Sequence, residues 1–225
     1  MRKNLFYTIL CLITVNLLLP INLFSDEKKL DLGHSYLISG KYNKAAKIFT
    51  KLIKEKPDYY QAYHGRGIAM YYQKKYAKAI KDYTKALKIN PHLPNLLVAR
   101  GLCYFQKGSY DRSIGDYKKA IKEDSQNTKA MNQLAWTLSV CPDLKYRDGK
   151  SALKWAQKSV KINAAPTYLD TLAAAYAETG DFKHAIDIQK RVVMLFIQND
   201  KEDKLDVHLK RLKSYRAKKP WRENG

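Results

Sequence analysis

Histidines are the first residues of this chain to test for chemistry, because imidazole is the commonest metal ligand and proton carrier at neutral pH. The five histidines are His34, His64, His92, His184 and His208. None of them pairs with a cysteine or a carboxylate at the short spacing by which proteins present zinc ligands. We therefore expect neither a metal site nor a cofactor.

Carboxylates and thiols give no stronger indication of catalysis. Asp116, Asp170 and Asp187 are far apart in the sequence, so no spacing joins two of them into a pair for acid–base chemistry. Cys141 would be a nucleophile only beside a basic group that lowers the pKa of its thiol, and no neighbour identifies one. The segment 65–67 has the glycines of a phosphate loop, but it falls within a helical pattern. We predict that the chain is not an enzyme.

The overall composition is that of a folded and strongly basic protein. The 225 residues include 42 Lys and Arg against 21 Asp and Glu, a net charge of +21, with 45% hydrophobic and 12% aromatic residues. Such a composition can build a core and argues against disorder. The excess charge is compatible with a solvated helix face or with an anion-binding surface.

Residues 1–25 differ in composition from the rest of the chain. Two basic residues, Arg2 and Lys3, precede an apolar run over residues 5–24, and charged residues follow. A basic start, an apolar stretch and a small final residue are typical of a signal peptide. We interpret residues 1–25 as a signal peptide cleaved after Ser25 or as an uncleaved membrane anchor. Either interpretation predicts an exported protein, in the periplasm, at the cell surface or outside the cell.

A period of 34 residues organises the chain after this segment. Small residues recur at that interval, as Gly33, Gly67, Gly101 and Ala135. Aromatic residues recur in two further columns, namely Tyr42, Tyr76, Tyr110 and Phe49, Tyr83, Tyr117. Each unit contains two apolar stripes at helical spacing with a polar turn between them, and Pro57 and Pro91 end the first two units. Since two helices cannot bury both apolar stripes alone, the units are expected to stack.

These columns resemble the tetratricopeptide repeat (TPR) family. The resemblance is carried by Leu32-Gly33-x-x-Tyr36 and Gly40-x-Tyr42-x-x-Ala45, with Phe49 and Pro57, and it recurs in the next two units. It implies an all-α fold, a right-handed superhelical solenoid of helix-turn-helix repeats. The expected repeats are residues 26–59, 60–93, 94–127, 128–165 with an insertion, and 166–199. Residues 200–225 are expected to form a capping helix and a basic tail.

The resemblance also implies a function, because the first helices of such repeats line a concave groove. A scaffold or adaptor that binds a protein or peptide there is the leading hypothesis. The expected groove residues are His34, His64, Ile68, Tyr71, Tyr72, Leu102, Phe105, Asn132 and Trp136. In the opposite interpretation, the C-terminal helix or the curvature of the array covers these residues.

Lysines on the second helices suggest an alternative partner. They recur at steps of three and four residues on one helical face. The set is Lys44, Lys47, Lys51, Lys78, Lys81, Lys85 and Lys88. Such a convex basic surface would attract a polyanion or an anionic envelope component, or it is simply a solvated face. Nucleic acid is not expected as a partner, and a membrane only through an uncleaved N-terminus.

Overall fold

The chain folds into α-helices throughout the part that the computed structural model describes, residues 26–199 and 205–223. That part contains eleven α-helices, one 3-10 turn and no strand. The helices are α1 (26–38), α2 (Tyr42–Glu55), α3 (Tyr60–Tyr72), α4 (Tyr76–Ile89), α5 (Pro94–Gln106), α6 (Tyr110–Glu123), α7 (Thr128–Val140), α8 (Gly149–Ile162), α9 (Pro166–Glu178), α10 (Phe182–Gln198) and α11 (Leu205–Arg216). The predicted all-α class is confirmed.

The chain divides into two compact units, Met1–Pro91 and His92–Gly225. Unit 1 contains α1 to α4, and Ala45 and Phe49 of α2 form its core with Ala62 and Ala69 of α3. Unit 2 contains α5 to α11, in which α5 packs on α6, α7 on α8 and α9 on α10. The helices of both units thus pack in consecutive pairs.

The helix pairs are held by rings that lie against glycines. The pairs are Gly33 with Phe49, Gly67 with Tyr83, and Gly101 with Tyr117. A Cβ atom placed on Gly67 would lie 2.4 Å from Cε1 of Tyr83, which is far inside van der Waals contact. Only a residue without a side chain lets the buried ring approach the first helix so closely. The small-residue column and one aromatic column of the sequence are therefore the two sides of one contact.

The turn inside each of the first three repeats uses left-handed backbone. Gly40 and Gly108 have φ angles of 69° and 72°, and Lys74 occupies the equivalent position in the second repeat with a φ of 58°. A residue with a Cβ atom costs about 1–2 kcal/mol in this conformation relative to the right-handed region. The second repeat therefore carries a local strain that the first and third repeats avoid with glycine.

The fourth helix pair contains a longer connection. Helix α7 ends at Val140, a 3-10 turn covers Leu144–Tyr146, and α8 begins at Gly149. The carboxylate of Asp148 caps α8 by accepting a hydrogen bond of 3.0 Å from the backbone N–H of Ser151.

The predicted signal peptide or anchor over residues 1–25 lies outside the described residues. Among the described helices, none is long and apolar enough to cross a membrane.

Candidate functional site

In unit 1 the expected groove residues lie on the two first helices and remain accessible. His34 belongs to α1, whereas His64, Ile68, Tyr71 and Tyr72 belong to α3. Tyr72 is 58% exposed and the other four are partly exposed. Ile38, at the end of α1, is 89% exposed. We call these six residues the α1–α3 face.

Stacked tyrosines give one end of the α1–α3 face a fixed shape. The ring of Tyr72 lies parallel to the ring of Tyr42, with 4.9 Å between the centroids. Tyr71 meets Tyr72 edge-on at 5.5 Å and lies 5.7 Å from Tyr76. Aromatic pairs at these distances are favourable beyond the area that they bury. The end of α3 is therefore an aromatic platform whose rings hold one another.

The other end of the face carries two histidines that rest on core rings. The imidazole of His34 lies 5.7 Å from the Phe49 ring, and that of His64 lies 6.2 Å from the Tyr83 ring. Burial lowers the pKa of His64 from its usual 6.5, and repulsion from nearby His34 lowers it further. His64 is therefore neutral at pH 7 and adds no charge to the face.

An ion pair fixes α3 against α4 behind the face. Arg66 donates from Nε and Nη2 to the two carboxylate oxygens of Asp82, at 2.8 Å and 2.7 Å. In unit 2, Arg100 and Asp116 repeat this bidentate pair at 2.8 Å and 2.8 Å. Both carboxylates are buried, so each pair sets the position of a first helix on its second helix.

In unit 2 the expected groove residues are divided between two environments. Leu102 and Phe105 of α5 are partly exposed, and the Phe105 ring meets Tyr110 at 5.4 Å. Asn132 of α7 is buried, and the Arg211 guanidinium lies over the Trp136 ring at 4.6 Å. Arg211 of α11 thus lies over one face of the Trp136 ring, which remains partly exposed, and we call helix α11 the cover. An open depression of about 490 Å³ lies beside the cover, lined by Asn132, Gln133, Trp136, Thr167, Asp170, Thr171, Asp206, Val207, His208 and Arg211.

A buried polar cluster, which the sequence did not indicate, anchors this cover. Oδ1 of Asp170 accepts hydrogen bonds from Nδ1 of His208 and from Nε2 of Gln189, each at 3.0 Å. Because a carboxylate oxygen accepts, the imidazole proton in this contact is assigned to Nδ1 of His208. Oδ2 of Asp170 accepts from Nη1 of Arg211. All four residues of this Asp170 cluster are buried. The cluster ties α11 to α9 and α10.

The His208–carboxylate contact does not by itself make a catalytic centre. The His208 ring stacks on Phe196 with 4.3 Å between the centroids, and Arg211 shares its carboxylate. Within the described residues no three or more His, Cys, Asp and Glu side chains come together as a metal site would require. Cys103 and Cys141 are buried and unbonded, and burial raises the pKa of Cys103 to about 12.

The lysines of the alternative basic surface are all solvent-exposed. They belong to α2 and α4 of unit 1, where six of them occupy three equivalent positions of the two repeats and Lys88 is the seventh. In the described part of the chain none of the seven is ion-paired with a carboxylate. Lys44 lies 5.8 Å from the Tyr36 ring. Their charge is therefore directed to solvent.

Comparison with known families identifies the repeats. Family models for the tetratricopeptide repeat match residues 29–59, 60–93 and 94–127, the three units in which the glycine–ring contact occurs. Residues 29–127 are therefore three tetratricopeptide repeats. TPR proteins generally mediate protein–protein interactions, and their repeats are typically non-enzymatic. Among curated proteins, none matches the chain.

Solved TPR structures have a similar fold. MamA from Desulfovibrio magneticus RS-1 is 16% identical with a TM-score of 0.65, over 78% of this chain and 97% of that chain. TTC0263, a thermophilic TPR protein of Thermus thermophilus, is 16% identical with a TM-score of 0.65, over 84% and 98%. YrrB, described as having an unusual peptide-binding site, is 16% identical with a TM-score of 0.60, over 82% and 91%. At these identities the likeness concerns the fold alone.

Proposed function

We propose that this TPR protein is a scaffold that binds another protein or peptide on the α1–α3 face of unit 1. The observation that carries the proposal is the exposure of two large apolar side chains, namely Tyr72, which is 58% exposed and stacked on Tyr42, and Ile38, which is 89% exposed at the end of α1. Burying an apolar side chain of this size contributes about 1.5–3 kcal/mol. Because the tyrosines are already held in place, a partner would order few additional groups on binding.

The chemistry of the face favours an apolar partner segment. Its six residues include two aliphatic side chains, two tyrosines and two histidines, and none of them is lysine or arginine. Since His64 is neutral at pH 7, little charge would have to be desolvated there. We infer that the partner presents apolar side chains from an extended segment or from one face of a helix.

A photo-crosslinking experiment tests where the partner binds. A benzoylphenylalanine residue at position 72 should crosslink a defined protein in the native cell envelope. The same reagent at position 81, where the exposed Lys81 lies on a second helix, is the matched control. A partner captured equally from both positions would contradict the proposal.

The affinity of the captured partner for variants of this chain then shows whether it binds the α1–α3 face or the lysine surface. Ile38→Ser with Tyr72→Ala should weaken binding at least about tenfold, while circular dichroism shows unchanged helix content because both residues are exposed. Leu144→Ser, at a residue of unit 2 that is 71% exposed, should bind normally. If the face variant binds normally and charge reversal of Lys47, Lys81 and Lys85 abolishes binding, the face is not the site.

A polyanion is the second candidate partner, favoured by the seven exposed lysines that have no acidic partner in the described part of the chain. An anionic envelope component would bind this surface by charge, with steep loss of affinity as salt increases. Binding on the α1–α3 face should change little over the same salt range. A titration with increasing salt therefore separates the two candidates.

We propose further that the chain is exported in a bacterium, on the composition of residues 1–25. The basic start and the apolar run over 5–24 support either cleavage after Ser25 or retention as an anchor. Mass analysis of the native protein, with fractionation of the cells, would decide between these forms. An N-terminus at Met1 in the soluble cytoplasmic fraction would exclude export.

A further inference from the structure

The chain returns to α7 after its last helix. Residues 217 and 218 form a turn after α11, and residues 219–223 have no regular secondary structure. We call residues 217–223 the tail segment. The backbone N–H of Glu223 donates to the carbonyl of Val140 at 3.0 Å. Arg222 donates from Nη1 to the carbonyl of Ser139 at 3.2 Å. Both acceptors belong to the last turn of α7, where helix carbonyls have no partner within the helix.

Trp221 supplies the apolar part of this contact. Its ring packs against a core cluster that includes Ala173 and Ala177 of α9 and Tyr215 of α11. The Arg211 guanidinium lies 5.4 Å from the centre of the Trp221 ring, close enough for a cation–π interaction. The ring therefore occupies a defined place on α9.

An acidic residue of α9 receives the arginine of the tail segment. Nη1 of Arg222 lies 2.7 Å from Oε2 of Glu178, and Nε of Arg147 lies 3.7 Å from Oε1. The Arg222–Glu178 contact lacks the angles of a hydrogen bond, so it is an ion pair only. The ends of α7 and α9 thus combine free carbonyls, an apolar patch and a carboxylate.

We propose that the ends of α7 and α9 form a binding site for an extended segment of another protein in which an aromatic residue is followed by arginine, and that the tail segment is its exchangeable internal occupant. The tail segment shows which chemistry the site accepts, as a bound peptide would. An aromatic ring fills the patch on α9, an arginine reaches Glu178, and a backbone N–H caps α7.

The seating of the tail segment leaves one buried polar group without a partner, which makes the segment easier to displace. The indole N–H of Trp221 is buried without an acceptor among the described residues. Buried donors without acceptors are unfavourable, because they have lost their water. Trp221, Arg222 and Glu223 also remain partly exposed, so an incoming segment has access. The site belongs to unit 2 and does not depend on the binding function proposed for unit 1.

A peptide that reproduces the tail segment is the probe for the first experiment. The full-length chain with Trp221→Ala and Arg222→Ala should release its own tail segment. A fluorescent synthetic peptide of residues 217–225 should then bind this variant at least about tenfold more tightly than it binds the wild-type chain. A control peptide with alanine at both positions should bind the variant at least about tenfold more weakly. Equal binding to both chains, or equal binding of both peptides, would overturn the proposal.

The wild-type chain provides a second measurement that does not rely on a variant. The Glu223 amide hydrogen bond predicts slow hydrogen exchange. Excess unlabelled peptide should accelerate that exchange, whereas the control peptide should leave it unchanged. Unaltered protection at saturating peptide would show that the tail segment is a permanent cap. Self-association of the wild-type chain by light scattering, lost in the double variant, would make the occupant a second copy and overturn the assignment to another protein.

Discussion

Units 1 and 2 pack their helix pairs through the same contacts, but the exposure of their first helices differs. The bidentate contact of Arg66 with Asp82 in unit 1 recurs, with closely similar distances, in unit 2. Yet α3 ends in an exposed Tyr72, whereas Trp136 of α7 lies beneath Arg211 of α11. The repeated residues therefore determine how two helices pair. Segments outside the repeat determine whether the face of the first helix stays open.

The open and the covered face also differ in what holds them. Rings in contact with rings shape the α1–α3 face, and these contacts need no partner outside unit 1. The cover of unit 2 depends on one buried carboxylate, Asp170, that receives three donors. Since a buried charge is stable only with its partners in place, a substitution at Asp170 should weaken the attachment of α11 to α9 and α10.

The largest effect is expected from removing that carboxylate. Asp170→Ala would leave Arg211 buried without its partner, and such a change typically costs about 3–5 kcal/mol. All three tryptophans, Trp136, Trp155 and Trp221, belong to unit 2. Urea unfolding followed by tryptophan fluorescence therefore measures the loss in this unit. Asp187→Ala, at an exposed position of α10, is the control and should change the free energy of unfolding little.

The repeat was predictable from the sequence, whereas the contacts that hold α11 in place were not. Glycine and an aromatic residue recur with the same period in three units, and in each unit the glycine lies against the aromatic ring. The two columns therefore predict the helix pairs directly. Asp170 contacts residues 19, 38 and 41 positions away, and none of these separations equals the 34-residue period. A single long-range contact leaves no period in one sequence, so the repeat pattern alone did not show that Arg211 lies over Trp136.

The ion pair between first and second helices also has a signal in the sequence. Arg66 and Arg100 are 34 residues apart, as are Asp82 and Asp116, and each arginine precedes its aspartate by 16 residues. This is also the separation of Gly67 from Tyr83. Residues at that separation face each other across a helix pair, so opposite charges repeated there predict a bridge.

The next largest loss of stability is expected from replacing the glycines that lie against buried rings, and it should be similar in the two units. Gly67→Ala would place a Cβ atom 2.4 Å from the buried Tyr83 ring, and Gly101→Ala would place one 2.6 Å from the buried Tyr117 ring. Overpacking of this kind costs about 1–3 kcal/mol. Thermal unfolding by circular dichroism should show comparable losses. Gly115→Ala, where no atom lies within 4 Å of the added Cβ, should not destabilise the chain.

Breaking the shared ion pair should have a smaller effect that is again equal in the two units. Asp82→Asn and Asp116→Asn keep the size of each side chain but weaken the bond to an arginine that is still partly exposed. We expect losses of about 1–2 kcal/mol for each, between the values for surface and buried pairs. Urea unfolding of the two variants measures this. If only one of the two variants lowers the free energy of unfolding, the two ion pairs contribute unequally to stability despite their similar geometry.

The smallest expected effect is a pH dependence of folding stability that arises from His64 in unit 1. Burial lowers the pKa of His64 below 6.5, the value expected in the unfolded chain. As the pH falls through about 6.5, the unfolded chain therefore takes up a proton at His64 that the folded chain resists. Folding stability contributed by the neutral ring is complete above that pH and decreases below it. The slope for one proton cannot exceed about 1.4 kcal/mol per pH unit.

His64→Gln isolates this contribution, because glutamine is polar but does not titrate in this range. Urea unfolding by circular dichroism between about pH 7 and about pH 5 should show a shallower loss of stability in the variant than in the wild-type chain. His184→Gln, at an exposed ring of unit 2, serves as the comparison for replacing any histidine. Because His64 lies on the α1–α3 face, the same acidification would also put charge on an apolar binding surface. Identical pH profiles for wild type and His64→Gln would mean that the imidazole is hydrated in the folded chain and that the face tolerates its charge.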